Sequence, residues 1–240
     1  MENLTNHTLD KIKDKGGQVF KNAKVQLIFW GKWNDPSIDP SKEKIETAIQ
    51  HIIDSDYFSK LSQYRGIQKP AYLGSVVNDK SNVPQSFDDS DIEKAIGESI
   101  DNHLVPDFRS FDNGQIIYMV ILTPGHYSAD KDDEDSDAYH DNFEYKGNDK
   151  GVFAIYFGFR NEKRELQSVT RALAHEIAES CTNPIYDKPA FIGRDDETEI
   201  ADYCENVVGI VNGEKVEGYW SNSDSSCVIP GASNITPIPD

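Results

Sequence analysis

The sequence predicts an α/β (or α+β) protein, a single domain with a mixed sheet flanked by helices. Three observations lead there. Short runs rich in β-branched and aromatic residues are closed by glycine or proline. Segments with helical spacing of apolar residues alternate with them. The 240 residues contain 11 Phe, 11 Tyr and 3 Trp in a 37% hydrophobic chain, enough for a real core.

Residues 1–22 are polar and are expected to be a loosely ordered N-terminal segment, with the domain occupying 23–240. "AKVQLIFWG" at 23–31 reads as a buried strand. Pro40 and Ser41 open a helix whose Ile45, Ala48, Ile49 and Ile52 share a face. Residues 71–77 form a second strand, and 90–104 a second helix through Ile92, Ala95, Ile96 and Ile100. "QIIYMVILT" at 115–123 is a strong buried strand, stopped by Pro124 and Gly125. The acidic stretch "DKDDEDSDAYHDN" is assigned to a surface loop. The glycine of an EF-hand is missing from its run Asp130 to Asp137, which favours solvation over calcium binding. Residues 151–159 are a strand, and "LQSVTRALAHEIAESCTN" is a helix ended by Pro184. Residues 209–220 make a hairpin turning at Asn212-Gly213.

The net charge of −18 argues against nucleic acid and anionic membrane surfaces as partners and favours cations. No run of 18 apolar residues is present, so no membrane span is expected. The visible start has neither a cationic nor an apolar signal region, consistent with a cytoplasmic chain or a signal already removed. Cys181, Cys204 and Cys227 allow one disulfide plus a thiol, or three thiols. Cys181, on the far side of its helix from His175, is assigned to packing.

Function centres on "LAHEIAES". Leu166, Val169, Leu173 and Ile177 form the stripe that packs on a sheet. His175 and Glu179, four apart, stack on another face beside the small Ala172. Glu176 lies between. This is the geometry of the HExxH metallopeptidase helix, with Glu179 in place of the second histidine. Two side chains stacked this way can grip one divalent ion, and Glu176 is expected to act as general base toward a water on it. A carboxylate is harder than imidazole. Zinc remains the first expectation, with manganese or calcium as alternatives. A third ligand is needed: Glu199 or Asp202, with the other orienting a ligand, or His140, which would complete a His₂Glu set. Glu199 and Asp202, three apart, are expected on one face of a short helix. Glu199 lies 20 residues beyond Glu179, a remove similar to that of the third ligand in gluzincin-type peptidases. The remaining histidines, His7, His51, His103 and His126, are placed on surface helices, the tail or a turn.

"SVTRALAHEIAESCTNPIYD" followed by "EIADYCEN" resembles the phosphate-induced protein 1 (EXORDIUM-like) family and its bacterial relatives. The matching elements are His175, Glu176, Glu179, Asn183-Pro184, Tyr186-Asp187, Glu199-Ile200, Asp202 and Cys204, with Tyr139-His140 upstream and Cys227 late. The likeness is specific over 168–204; before 115 it is only a similar order of elements. It implies a shared metal-site constellation. From the family's extracellular plant members it also implies export and a Cys204–Cys227 disulfide, which the missing signal peptide leaves open.

The expected function is therefore a zincin-like, metal-dependent hydrolase acting on a peptide or protein substrate. Tyr139, Tyr186 or an uncommitted His140 would serve as oxyanion donor. The alternative is a non-catalytic secreted signalling or binding protein with a structural metal.

Overall fold

The computed structural model describes residues 11–129, 137–147, 149–158, 164–193 and 198–237. A five-stranded mixed sheet forms its centre. Its strands are β1 (Lys24–Trp30), β2 (Ala71–Asn78), β3 (Ile116–Leu122), β4 (Ala138–Tyr145) and β5 (Asp149–Tyr156), in the order β2-β1-β3-β5-β4. All neighbours are parallel except β4 and β5, an antiparallel pair at one edge. The mixed α/β architecture read from the sequence is thus present.

The strand composition follows from the layering. β3 is buried at every position and β1 at all but Lys24, because helices cover both faces. Alternate residues face opposite ways. Val25, Leu27, Phe29, Ile117, Met119 and Ile121 join a core with α1 (Lys42–Asp54) and α3 (Leu166–Thr182). Ile28, Trp30, Tyr118, Val120 and Leu122 join the opposite core with α2 (Asp89–Asp101). Asp88 caps α2 in a reciprocal capping box with Asp91.

The chain after α3 builds a smaller layer. β6 (Val207–Val211) and β7 (Glu214–Glu217) form the expected hairpin, with Asn212 at φ 50° and Gly213 at φ 91°. Those positive angles are what a two-residue hairpin turn requires. Thr170 of α3 donates to the Lys215 carbonyl at 2.7 Å, laying the hairpin along the helix. β8 (Tyr219–Ser221) pairs with β9 (Ser226–Val228), and β10 (Ile235–Pro237) pairs with β6.

Three expectations are corrected. Residues 138–142, assigned to a surface loop, begin strand β4. Tyr139, Phe143 and Tyr145 pack toward Phe108, Phe153 and Phe157 on the α2 side, so the segment has strand periodicity. Residues 130–136 of the acidic run lie outside the described residues. Glu199 and Asp202 do not share a helix: the helical turn is a single 3₁₀ turn, Asp202–Cys204. Glu199 precedes it and donates its N–H to Asp202 Oδ2 at 2.6 Å. Within the N-terminal segment expected to be loose, residues 11–22 are docked. Ile12 and Phe20 are buried, and Lys13–Asp14 pairs with Phe191–Ile192. A Cβ at Gly17 would stand 2.0 Å from the Lys188 carbonyl oxygen, so only glycine permits that approach.

Cys204 and Cys227 form a disulfide, and Cys181 is a buried free thiol. The disulfide joins the 3₁₀ turn to β9. Replacing both partners, Cys204→Ser with Cys227→Ser, should lower unfolding free energy by about 3 kcal/mol from restored chain entropy, measured by denaturant titration.

Candidate metal centre

The HExxE segment lies in the middle of α3, where Val169, Leu173 and Ile177 are fully buried against the sheet. That packing turns His175, Glu176 and Glu179 toward a cleft of about 850 Å³. β4 forms one wall and supplies His140. The 198–204 segment supplies Glu199 and Asp202 from another side, and β7 supplies Glu217. Glu176, Glu179 and Glu217 are 6%, 3% and 5% exposed. Carboxylates are not buried at this density without cationic or hydrogen-bonding partners, because desolvation costs several kcal/mol per ion.

The groups meet in two sets that share Glu179. In the first, His175 Nε2 lies 3.1 Å from Glu179 Oε2 and 3.4 Å from Asp202 Oδ1. In the second, His140 Nδ1 lies 3.0 Å from Glu176 Oε2 and 4.0 Å from Glu179 Oε2. Within each set the potential ligand atoms are all within 4.8 Å of one another. His/Glu/Asp groups close enough to hold a metal ion are therefore present. From His175 Nε2 these distances of 3.1 and 3.4 Å are close to the roughly 3.3–3.6 Å that separates ligands on a tetrahedral ion with bonds of about 2.0–2.2 Å. The expected His₂Glu trio is not formed, because neither set contains both imidazoles. His140 comes from the sheet edge and meets Glu176 first; Asp202 takes the place beside His175.

Each imidazole is held from behind. His175 Nδ1 is 3.0 Å from Glu217 Oε2. His140 Nε2 is 3.3 Å from the Asn183 carbonyl and 3.4 Å from Glu199 Oε2. A partner on one ring nitrogen fixes the tautomer and presents the other as a ligand. Glu199 thus sits on the side of the His140 ring away from Glu176. Asn183 Nδ2 donates to Glu199 Oε1, and Asn183 Oδ1 accepts the Ala190 N–H at 2.8 Å. Sequence reading missed Glu217 and the ligand-orienting part of Asn183. Glu217 carries no local signal beyond being an acid in a hairpin, between Val216 and Gly218.

Electrostatics follow from the carboxylates. Burial opposes a proton on His140, but Glu199, Glu176 and Glu179 outweigh it and raise its pKa to about 10. His175 is also raised, against burial, by Glu179, Asp202 and Glu217. Asp202 is lowered despite burial because His175 bonds to it. Asp137, on the cleft wall, is pushed up to about 6, first by burial and opposed by Arg171.

Tyr139 donates its hydroxyl to Asp89 at 2.6 Å and is unsuited to an oxyanion role. Tyr186 stands on the cleft rim, 79% exposed.

No protein-family model, curated protein or solved structure matches the chain. Among the described residues, no helix is long and apolar enough to cross a membrane.

Two outcomes are expected. Glu217→Gln should weaken divalent-ion affinity by about 10–100-fold, measured by competition with a chromophoric chelator. Because ions must displace protons from raised imidazoles, zinc affinity should fall as pH drops. Calorimetry in buffers of different ionisation heat should register proton release on binding.

Proposed function

We propose that the chain is a metal-dependent hydrolase, a zincin-like peptidase with zinc as its ion and manganese or calcium as alternatives. The observation that carries this reading is the convergence of His175, Glu179 and Asp202 with the separate acid Glu176 in one open cleft. His175, Glu179 and Asp202 would hold the ion. When bound, it supplies a Lewis acid that polarises a scissile carbonyl and makes water more acidic.

The rest falls to the chain. Glu176, in the second set beside Glu179, takes the proton of the attacking water and passes it to the leaving amine. His140 steadies one oxygen of that carboxylate at 3.0 Å. Glu217 and the Ala201 and Asp202 N–H groups keep the ligands in place. Of the oxyanion candidates, Tyr139 is engaged by Asp89 and His140 by Glu176. Tyr186, which lines the cleft, is the remaining candidate for that role. An extended peptide or protein segment lying beside β4 suits an open cleft bounded by a strand. The likeness to the phosphate-induced protein 1 family over 168–204 belongs to the same reading.

The rival is a non-catalytic signalling or binding protein in which the ion is structural. A structural ion has all its positions filled by protein; a cleft open beside the donors favours catalysis. Glu176→Gln should leave the tightly held ion in place and reduce peptide hydrolysis by about 10²–10⁴-fold, read by metal content and turnover side by side. Full activity in Glu176→Gln would remove that residue from the mechanism. Zinc-loaded wild type that cleaves no member of a broad peptide library would leave the structural role.

A further inference from the structure

We propose that His140, Glu176 and Glu179 form a second divalent-cation site, weaker than the first, whose filling stops hydrolysis by taking the general base. The inhibitory part rests on the hydrolase reading; the site itself does not.

Two independent features point to an ion there. The first is the convergence of one imidazole nitrogen and two carboxylates, delivered by two separate elements: His140 by β4, Glu176 and Glu179 by α3. The second is the backing of His140. Its Nε2 faces the Asn183 carbonyl at 3.3 Å and Glu199 at 3.4 Å. A hydrogen on Nε2 is shared by these two acceptors, and Nδ1 is the ring nitrogen that faces Glu176 and Glu179 and would meet an ion once its own proton is displaced. His175 is arranged in the same way with its nitrogens exchanged, Nδ1 on Glu217 and Nε2 toward the first set.

The order of filling follows from Glu179. Its Oε1 accepts from Ala201 N and Asp202 N, so Oε2 serves both sets. That oxygen is 3.1 Å from His175 Nε2 but 4.0 Å from His140 Nδ1. The first set has prior claim. One dication still leaves the five carboxylates Glu176, Glu179, Glu199, Asp202 and Glu217 in excess, which favours a second. That second ion would bind Glu176 Oε2 and withdraw it from proton transfer.

The test is a zinc titration of the metal-free full chain, by calorimetry and elemental analysis, with turnover followed in parallel. Wild type should take two ions in separate steps, with activity rising through the first and lost through the second. His140→Gln and Glu176→Gln should each keep the tight step and lose the weak one, with thermal melts confirming that both fold. A single step in wild type, or a weak step persisting in both variants, overturns the site. Activity that keeps rising through the second step overturns its inhibitory role. Two steps without turnover at any loading support the site and sink the hydrolase reading instead.

Discussion

The carboxylate of Glu179 is the constraint on which the rest of the site depends. It is 3% exposed, in the middle of a helix packed on the sheet. Its Oε1 accepts two backbone N–H groups, from Ala201 and Asp202, at 2.9 and 3.2 Å. Its Oε2 faces His175 at 3.1 Å. One side chain therefore pins the 198–204 segment to α3 and aims Asp202 at the same imidazole. A histidine in its place, as in HExxH, could not accept two N–H groups on one atom while offering a second acceptor to a cation. The carboxylate at this position thus also attaches the 198–204 segment, which an imidazole could not do in the same way.

A buried group of this kind is costly in isolation, since each desolvated ion opposes folding by several kcal/mol. Here the cost is offset by pairing. Every carboxylate in the two sets has an imidazole or N–H partner, and each imidazole has acceptors on both ring nitrogens. The disulfide and the Trp220 N–H bond to the Ile200 carbonyl at 2.7 Å hold the 198–204 segment from its other side. The docked N-terminal residues brace the stretch after α3 by bonds to the carbonyls of Pro189 and Ala190. The cleft is surrounded by parts that are fixed for reasons unrelated to chemistry.

Much of this was legible in the sequence. β1 and β3 are covered on both faces, so their apolar runs stand out; α3 announces itself by its stripe, and Asn212-Gly213 by its turn chemistry. The pairing of His175 with Glu179 follows from helical spacing alone. What was not legible depends on edges and distant partners. β4 is a half-exposed edge strand after an acidic run, and its alternation hides behind polar residues that face α3 and solvent. The choice between His140 and Asp202 beside His175 turns on ångström-scale placement that spacing does not carry. Glu217 is brought in by a hairpin whose position against α3 is set by packing, with no trace in its own neighbourhood. The helix expected at 199–202 is reduced to the 3₁₀ turn Asp202–Cys204, with the Asp202 side chain accepting the Glu199 N–H at the start of the turn.

The hairpin β6–β7 also sets an order in time. It follows α3 in the chain, and the sheet on which α3 rests is built from parallel strands joined by long crossovers, the slow kind of contact to close. A growing polypeptide therefore displays Glu176 and Glu179 well before the residue that steadies His175 has been made. The pairing of His175 with Glu217 is thus among the last contacts of the cleft that synthesis makes possible.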